Sequence, residues 1–533
     1  MATTTLEQIK QNLPDSDRQN PSVSILLELL EQHIATITLQ KEQIQQLKDE
    51  IARLKKQKPK PKISPSKLSK EGQKKNSGKR PGSAKKKKTA NLKIHKKKRI
   101  KPESIPPGSK FNGLKSYTVQ GLKISVHNTC YLLEQWVTPE GKTISGQLPP
   151  EIDGHFDNTL RTFILHQYHH CHVTQPLLLE QLLEWGVDIS SGQLNNILIE
   201  NKEPFHNEKD AILSAGLRSS SHVNCDDTGA RHNGKNGYCT HIGNDFFAWF
   251  ESTESKSRIN FLSLLRAGAS DYLLNEDAFE YMKQKRLPKS PLSLLRNHPV
   301  KEFMDAEQWE QHLKELGIIK PRHIQIATEG ALFGCVLSHI PRNLVIVSDD
   351  AGQFNILNHA LCWIHAERTL AKIIAPSNEK RQILEEVRQQ IWKFYGELKN
   401  YTESPSQKEQ NRLDKEFETI FTQKTDFETL NQALQRLHKN KSELLLVLDR
   451  PEIPLHNNLS ENDIREYVKK RKVSGSTRSE NGRRCRDTFA SIKKTCHKLG
   501  ISFWQYIEDR LSGKNAIPPL PHIIEQAAST APG

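Results

Sequence analysis

The sequence predicts an α/β domain, a mixed five-stranded sheet with helices and helical insertions, behind an N-terminal coiled coil and a basic disordered linker. Three observations carry this. The stretch HVNCDDTGARHNGKNGYCTHIGNDFFAWFES alternates apolar runs with tight-turn residues, the pattern of an antiparallel meander. LVIVSDD, residues 344–350, is a short apolar run that ends on acid, as a buried strand would. Charged stretches with helical periodicity fill most of the remaining body.

Taken in order, residues 1–21 read as a flexible N-terminus, and 22–58 as the coiled coil. Leu30, Ile37, Ile44 and Ile51 fall at one seam position, with Leu26, His33, Gln40, Leu47 and Leu54 at the other. Ile at the first position and Leu at the second favour a two-stranded parallel coil over a lone amphipathic helix, so a homo-oligomer is expected. Residues 59–105 form the basic linker. The net charge of the 533 residues is +16, yet residues 55–101 alone hold 21 Lys or Arg and one acid, Glu71, which makes +20. The rest of the chain is therefore slightly acidic. Such an arm favours nucleic acid, whose counterions it would release, over a merely solvated tether. As a flexible coil it would span roughly 35–40 Å.

Residues 106–157 read as a small strand-rich module and 158–218 as a helical, helix-turn-helix-like domain. In TQPLLLEQLLEWGVDISSGQLNNILIE two periodic helices flank Gly186, with Ser190 or Ser191 as N-cap of the second. That second helix has no Lys or Arg before Lys202, which favours a packed pair over a base-reading helix. Residues 219–511 form the main domain. Its first strand ends at Asp226. Strands at Tyr238–Ile242 and Phe246–Phe250 follow, separated by turns at Asn233–Gly237 and Gly243–Asp245. Helical insertions are expected at about 262–335 and 370–450, and a last helical block from near Asn458 to about Leu511. Residues 512–533 read as an apolar, irregular tail.

Eight Cys without a CxxC pair argue against a disulfide framework and fit a reducing cytoplasm. No apolar run reaches the ~18 residues that span a bilayer, and no signal peptide is evident, so no membrane is expected. His166, His169, His170 and His172 crowd around Cys171, a spacing that could chelate metal but reads first as helix surface.

Clustered carboxylates are what two-metal phosphoryl transfer needs, because they hold two divalent ions about 4 Å apart against the attacking and leaving oxygens. Mg²⁺ (or Mn²⁺) suits such a site. A common scaffold is the ribonuclease H-like sheet, with three antiparallel strands followed by parallel ones. It carries one Asp on the first strand, a second past the fourth and a third acid on a later helix. Asp226, Asp349 and Glu461 occupy those places. Each is ordinary alone; their joint order is the signal. Asp227 and Asp350 are the adjacent alternatives, and Asp350 is the more serious rival because a one-residue slip at a strand end is easy.

VNCDDTG, LVIVSDDAGQFN with LCWIHAERTL, and NNLSENDIR followed by RKVSGSTRSENGRR and SFWQYI resemble the motifs of insertion-sequence-66 family transposases over roughly residues 105–510. The resemblance implies a DDE transposase, a polynucleotidyl transferase with Asp226, Asp349 and Glu461 as its catalytic, metal-binding acids. It implies DNA-binding roles for Asn457, Asn458, Arg465, Arg471 and Lys472, and lower-ranked backbone contacts for Arg478, Arg483 and Arg484. Arg465, four residues past Glu461, could equally pair with that acid. Cys362 and His365 match a Cys-x-x-His element; with no second pair at suitable spacing, zinc is not expected there, and a buried brace beside the site is favoured. Many members carry a Cys-rich zinc module ahead of the main domain, whereas that zone here offers only Cys130, so zinc is not expected in this chain.

The implied partners are DNA, as transposon ends and target, a second copy of the chain, and accessory proteins of the same element. The implied setting is the bacterial cytoplasm, at the nucleoid. The competing reading is a non-catalytic dimeric DNA-binding regulator or decayed transposase, against which the intact acids stand. A ribonuclease H-type nuclease without strand transfer is a third.

Overall fold

The computed structural model describes residues 94–149, 152 and 154–530, together with helical positions scattered between 22 and 47. Most of the expected coiled coil and of the basic linker lies outside the described residues. Two compact units emerge: residues 43–125, and residues 1–42 with 126–533. In the first unit, described residues 94–125 hold no helix or strand.

In the second unit, β1 (Gln135–Val137) and β2 (Thr143–Ser145) pair into an exposed hairpin. Among the described residues it is the one piece of regular structure in the segment read as strand-rich, where almost every apolar side chain is solvent-exposed and packs no sheet. Four helices follow: α1 (Asn158–His169), α2 (Gln175–Glu184), α3 (Ser191–Ile199) and α4 (Glu203–Arg218). Ser190 caps α3 in a full capping box with Gln193. Leu178, Leu182, Leu194 and Leu198 point into the core, so the α2–α3 pair is packed, not presented.

The sheet has the order β5-β4-β3-β8-β9, in which β8 is Val345–Ser348 and β9 is Asn358–Leu361 and the other three are the following. β3 (His222–Gly229), β4 (Tyr238–Gly243) and β5 (Ala248–Thr253) form the antiparallel meander. β3 runs past Asp226 because Asp227 to Gly229 still pair with β4. β5 starts two residues later than the sequence suggests, since Asn244 Oδ1 accepts from the Phe246 and Phe247 N–H groups and prolongs the turn.

Between β5 and the next sheet strand lie α5 (Arg258–Leu265), α6 (Glu276–Gln284), α7 (Lys289–Asn297), α8 (Ala306–Glu315) and α9 (Pro321–His339), with a small hairpin of β6 (Tyr272–Leu273) and β7 (Glu302–Phe303). β8 (Val345–Ser348) then adds parallel to β3, and β9 (Asn358–Leu361) parallel to β8. α10 (Trp363–Ala371) leads into α11 (Asn378–Glu403), α12 (Gln407–Thr422), α13 (Glu428–Lys439) and the short α14 (Lys441–Leu444). These helices close a core of their own around Trp363, Phe394, Phe417 and Phe421.

Last come α15 (Asn458–Ser474), α16 (Glu480–Lys498), α17 (Phe503–Leu511) and α18 (Leu520–Thr530). α18 corrects the expectation of an irregular tail. Leu520 and Ile524, one turn apart, bury completely, the Leu520 N–H donates to Glu208, and Glu525 pairs with Arg218. No described helix is long and apolar enough to cross a membrane.

Alternation sets the two faces of the sheet. Val223, Cys225, Ile242, Trp249 and Ile346 join the main core on one side. On the other side Cys239, Ala248 and Phe250 pack on Ile464 and Tyr467 of α15, while Val345, Val347 and Ala360 pack on Ile453. α16 covers the edge strand. Its Thr495, Ser491 and Asp487 side chains accept from the N–H groups of Ala248, Phe250 and Ser252.

Candidate active site

Register brings the first two acids together. Asn224 of β3 sits opposite Val347 of β8 at the end of their paired register, so Asp226 follows two residues on along β3 and Asp349 just past the end of β8. Asn224 and Val347 point away from the main core, and by the same alternation so do Asp226 and Asp349. That is the face covered by α15.

Asn457 places the third acid. Its side chain is fully buried: Nδ2 donates to the Cys225 carbonyl at 2.7 Å, Oδ1 accepts from Asn224 at 2.9 Å, and its N–H donates to Cys362 Sγ at 3.2 Å. One residue thus ties β3, the end of β9 and the start of α15. Glu461 follows in the first turn of that helix, its N–H on the Asn457 carbonyl. Because both amide ends of Asn457 are spent inside, it is a bracket and not the DNA contact that the sequence suggested. Cys362 is buried, and its sulfur accepts from the Asn457 N–H.

Around Glu461 the pairing is dense. Oε1 lies 3.1 Å from Arg368 Nη1 and 3.6 Å from His365 Nε2, and Oε2 lies 3.2 Å from Arg465 Nη2. Arg368 also contacts His365 at 3.2 Å. Both arginines are well exposed, so each can reach a ligand outside. Arg368 was missed in the sequence; its signal was the three-residue step from His365 on one face of α10.

Electrostatics point the same way. Burial pushes the Asp226 carboxyl up to about 7, and the charges of Asp349, Asp227 and Glu461 push the same way, against the Asp227 N–H that holds it down. Asp227 itself is engaged, accepting from Thr240 at 2.6 Å and Gln353 at 2.7 Å. Asp350 is exposed and feels Glu443, His359 and Asp349, not Asp226 or Glu461. The register therefore puts Asp349, not Asp350, in the cluster. Among the described residues, no three His, Cys, Asp or Glu ligand atoms within 4.8 Å of one another include these acids.

Of the other residues singled out, Asn458, Arg465 and Lys472 are exposed on α15, and Arg471 donates to Thr228 on β3 at 3.1 Å. His169 is buried against Phe489, and His166 stacks on His170, so the histidine group is mainly packing.

Residues 339–484 match the model of the Transposase IS66 family. That span contains Asp349, Cys362, His365, Asn457, Asn458, Glu461, Arg465, Arg471 and Lys472; Asp226 lies ahead of it. The chain is also 42% identical over 321 residues to an uncharacterized protein, y4jO, of Sinorhizobium fredii, across 60% of this chain and the whole length of that relative.

Proposed function

The chain belongs to the IS66 transposase family, and on that premise we propose that it is the DDE transposase of an insertion sequence, binding terminal inverted repeats and catalysing metal-dependent DNA cleavage and strand transfer. One observation carries the reading: Asp226, Asp349 and Glu461, from two adjacent strands and a helix far apart in sequence, converge on one face of the sheet. Three antiparallel strands followed by two parallel ones, with the acids in that order, support a ribonuclease H-like fold.

The donor set is all carboxylate oxygen, which fits Mg²⁺ or Mn²⁺. Asp226, Asp349 and Glu461 would hold two such ions, and Asp226, buried and crowded by like charge, would gain the counter-charge it lacks. Bound there, the ions would polarise the attacking and leaving oxygens of phosphoryl transfer. The chain's own groups do the rest. Asn457 fixes the height of Glu461. Arg368 and Arg465, at the exposed rim, bind the DNA phosphate beside the acids. Asn458, Arg471 and Lys472 extend that contact along α15. The basic linker holds DNA through its backbone, and the coiled coil joins two copies, in the bacterial cytoplasm at the nucleoid. Accessory proteins of the same element are further candidate partners.

The test is Glu461→Gln on DNA carrying the element's ends. Cleavage should fall at least about 10³-fold, since a metal's share of the barrier is several kcal/mol, while end binding persists. Unchanged cleavage would sink the reading.

A further inference from the structure

Away from the carboxylate cluster, three side chains of different chemistry meet at the end of α9. Cys335 and His339 lie four residues apart on that helix, hence on one face. Asp271, in the loop between α5 and β6, completes the group. One ligand atom from each of the three lies within 4.8 Å of the other two, and among the described residues no other such trio occurs. Cys335 is buried, Asp271 partly so and His339 exposed, so the group runs from the core to the surface. The Cys335 thiol donates to Asp271 Oδ2 at 3.2 Å.

We infer that Asp271, Cys335 and His339 are the protein ligands of a divalent-cation site of the zinc class. One sulfur, one nitrogen and one oxygen make a borderline-soft set, suited to Zn²⁺ and poorly suited to Mg²⁺. Three protein ligands leave a fourth tetrahedral position for solvent. The group sits in the last turn of a 19-residue helix, where the negative end of the helix dipole adds attraction for a cation.

Binding is an exchange: the Cys335 S–H bond breaks, a sulfur–metal bond forms, and the proton leaves to solvent. Burial, then the hydrogen bond to Asp271, push that thiol up to about 12, so the metal must displace a firmly held proton. Arg266 opposes and assists at once. It donates to the Asp271 carbonyl at 2.7 Å and repels a cation, but its charge favours the thiolate. A plain S–H···O bond would need neither His339 nor its position one turn on from Cys335.

The site shares no residue with the carboxylate cluster. It would clamp the loop before β6 to the helix that feeds β8, the strand that ends at Asp349. Sequence inspection missed it because Asp271 lies 64 residues from Cys335.

The test uses the full chain, stripped with chelator and titrated with Co²⁺. One equivalent should produce a thiolate-to-cobalt charge-transfer band with intense visible bands of a low-coordinate ion; Zn²⁺ should bleach them and Mg²⁺ should not. Cys335→Ser should abolish the charge-transfer band, whereas Cys171→Ser, at the exposed thiol beside His166, and Glu461→Gln should retain it. Asp271→Asn and His339→Ala should weaken cobalt binding at least about tenfold. No thiolate band, or one that survives Cys335→Ser, overturns the proposal. Should Cys335→Ser not fold, His339→Ala at its exposed position decides: unchanged cobalt affinity overturns it equally.

Discussion

Glu461 and Asp463 lie two residues apart on α15 and do opposite jobs. Glu461 faces the opening where Asp226 and Asp349 converge, and its partners are arginines half in solvent. Asp463 faces the sheet and is almost sealed, with His241 at 3.2 Å, Lys494 at 3.2 Å and Lys498 at 2.8 Å. His241 Nε2 makes no aligned hydrogen bond to it, and burial holds that imidazole below its usual range, so the two lysines supply the counter-charge. One acid is held to the fold by largely buried lysines; the other is paired only with exposed arginines and shares its surroundings with Asp226 and Asp349. Density of buried counter-charge, more than the presence of an acid, separates the structural carboxylate from the functional one.

The largest effect should come from breaking the sealed pair. Asp463→Asn leaves Lys498 and Lys494, both largely shielded from solvent, without that counter-ion and should cost about 3–5 kcal/mol in urea unfolding. Glu461→Gln should cost under about 1 kcal/mol, because its arginines remain solvated. Equal losses would erase the distinction.

Titration sharpens it further. The folded-state value of Asp226 is raised, so in metal-free protein its contribution is fully present below about 3.9, the unfolded value, and is lost as pH rises through about 7. Burial would raise Asp463 too, but His241 and Lys498 outweigh it and hold its carboxyl far below the usual range. Its contribution is therefore present above about 3.9 and lost only as pH falls below that. Melting in chelator from about pH 4 to pH 8 should show Asp226→Asn gaining on the parent by several degrees toward the alkaline end. Asp463→Asn should stay below the parent throughout. A parallel pH dependence for the two variants contradicts the assignment.

Much of this was legible because strand period and motif order are local properties. VNCDDTG and LVIVSDD announced two strands, and alternation then fixed which face each Asp takes. The brackets were not legible. Asn457 looked like a surface residue of a polar motif, and only the fold shows its amide spent on Cys225 and Asn224, more than 230 residues earlier. Arg368 and Asp271 were lost for the same reason: their partners are distant in sequence. α18 was misread because one helical turn of apolar spacing, Leu520 to Ile524, is too short a signal among three prolines.

The smallest expected effect is the sharpest test of register. Asp350 is exposed and its nearest charges are Glu443 and His359, so Asp350→Asn removes no ligand from the cluster. Cleavage should stay within about threefold and stability within about 0.5 kcal/mol. Asp349→Asn, by contrast, should match Glu461→Gln in its loss of cleavage. The two residues are neighbours at the end of β8, and a slip of one would turn the wrong carboxylate toward Asp226. If Asp350→Asn proved the inactive variant and Asp349→Asn the active one, β8 would have to sit one residue out of the register that pairs Val347 with Asn224. The same slip would turn Val345 and Val347 away from Ile453 and into the main core, so the strand's packing and its chemistry stand on one register.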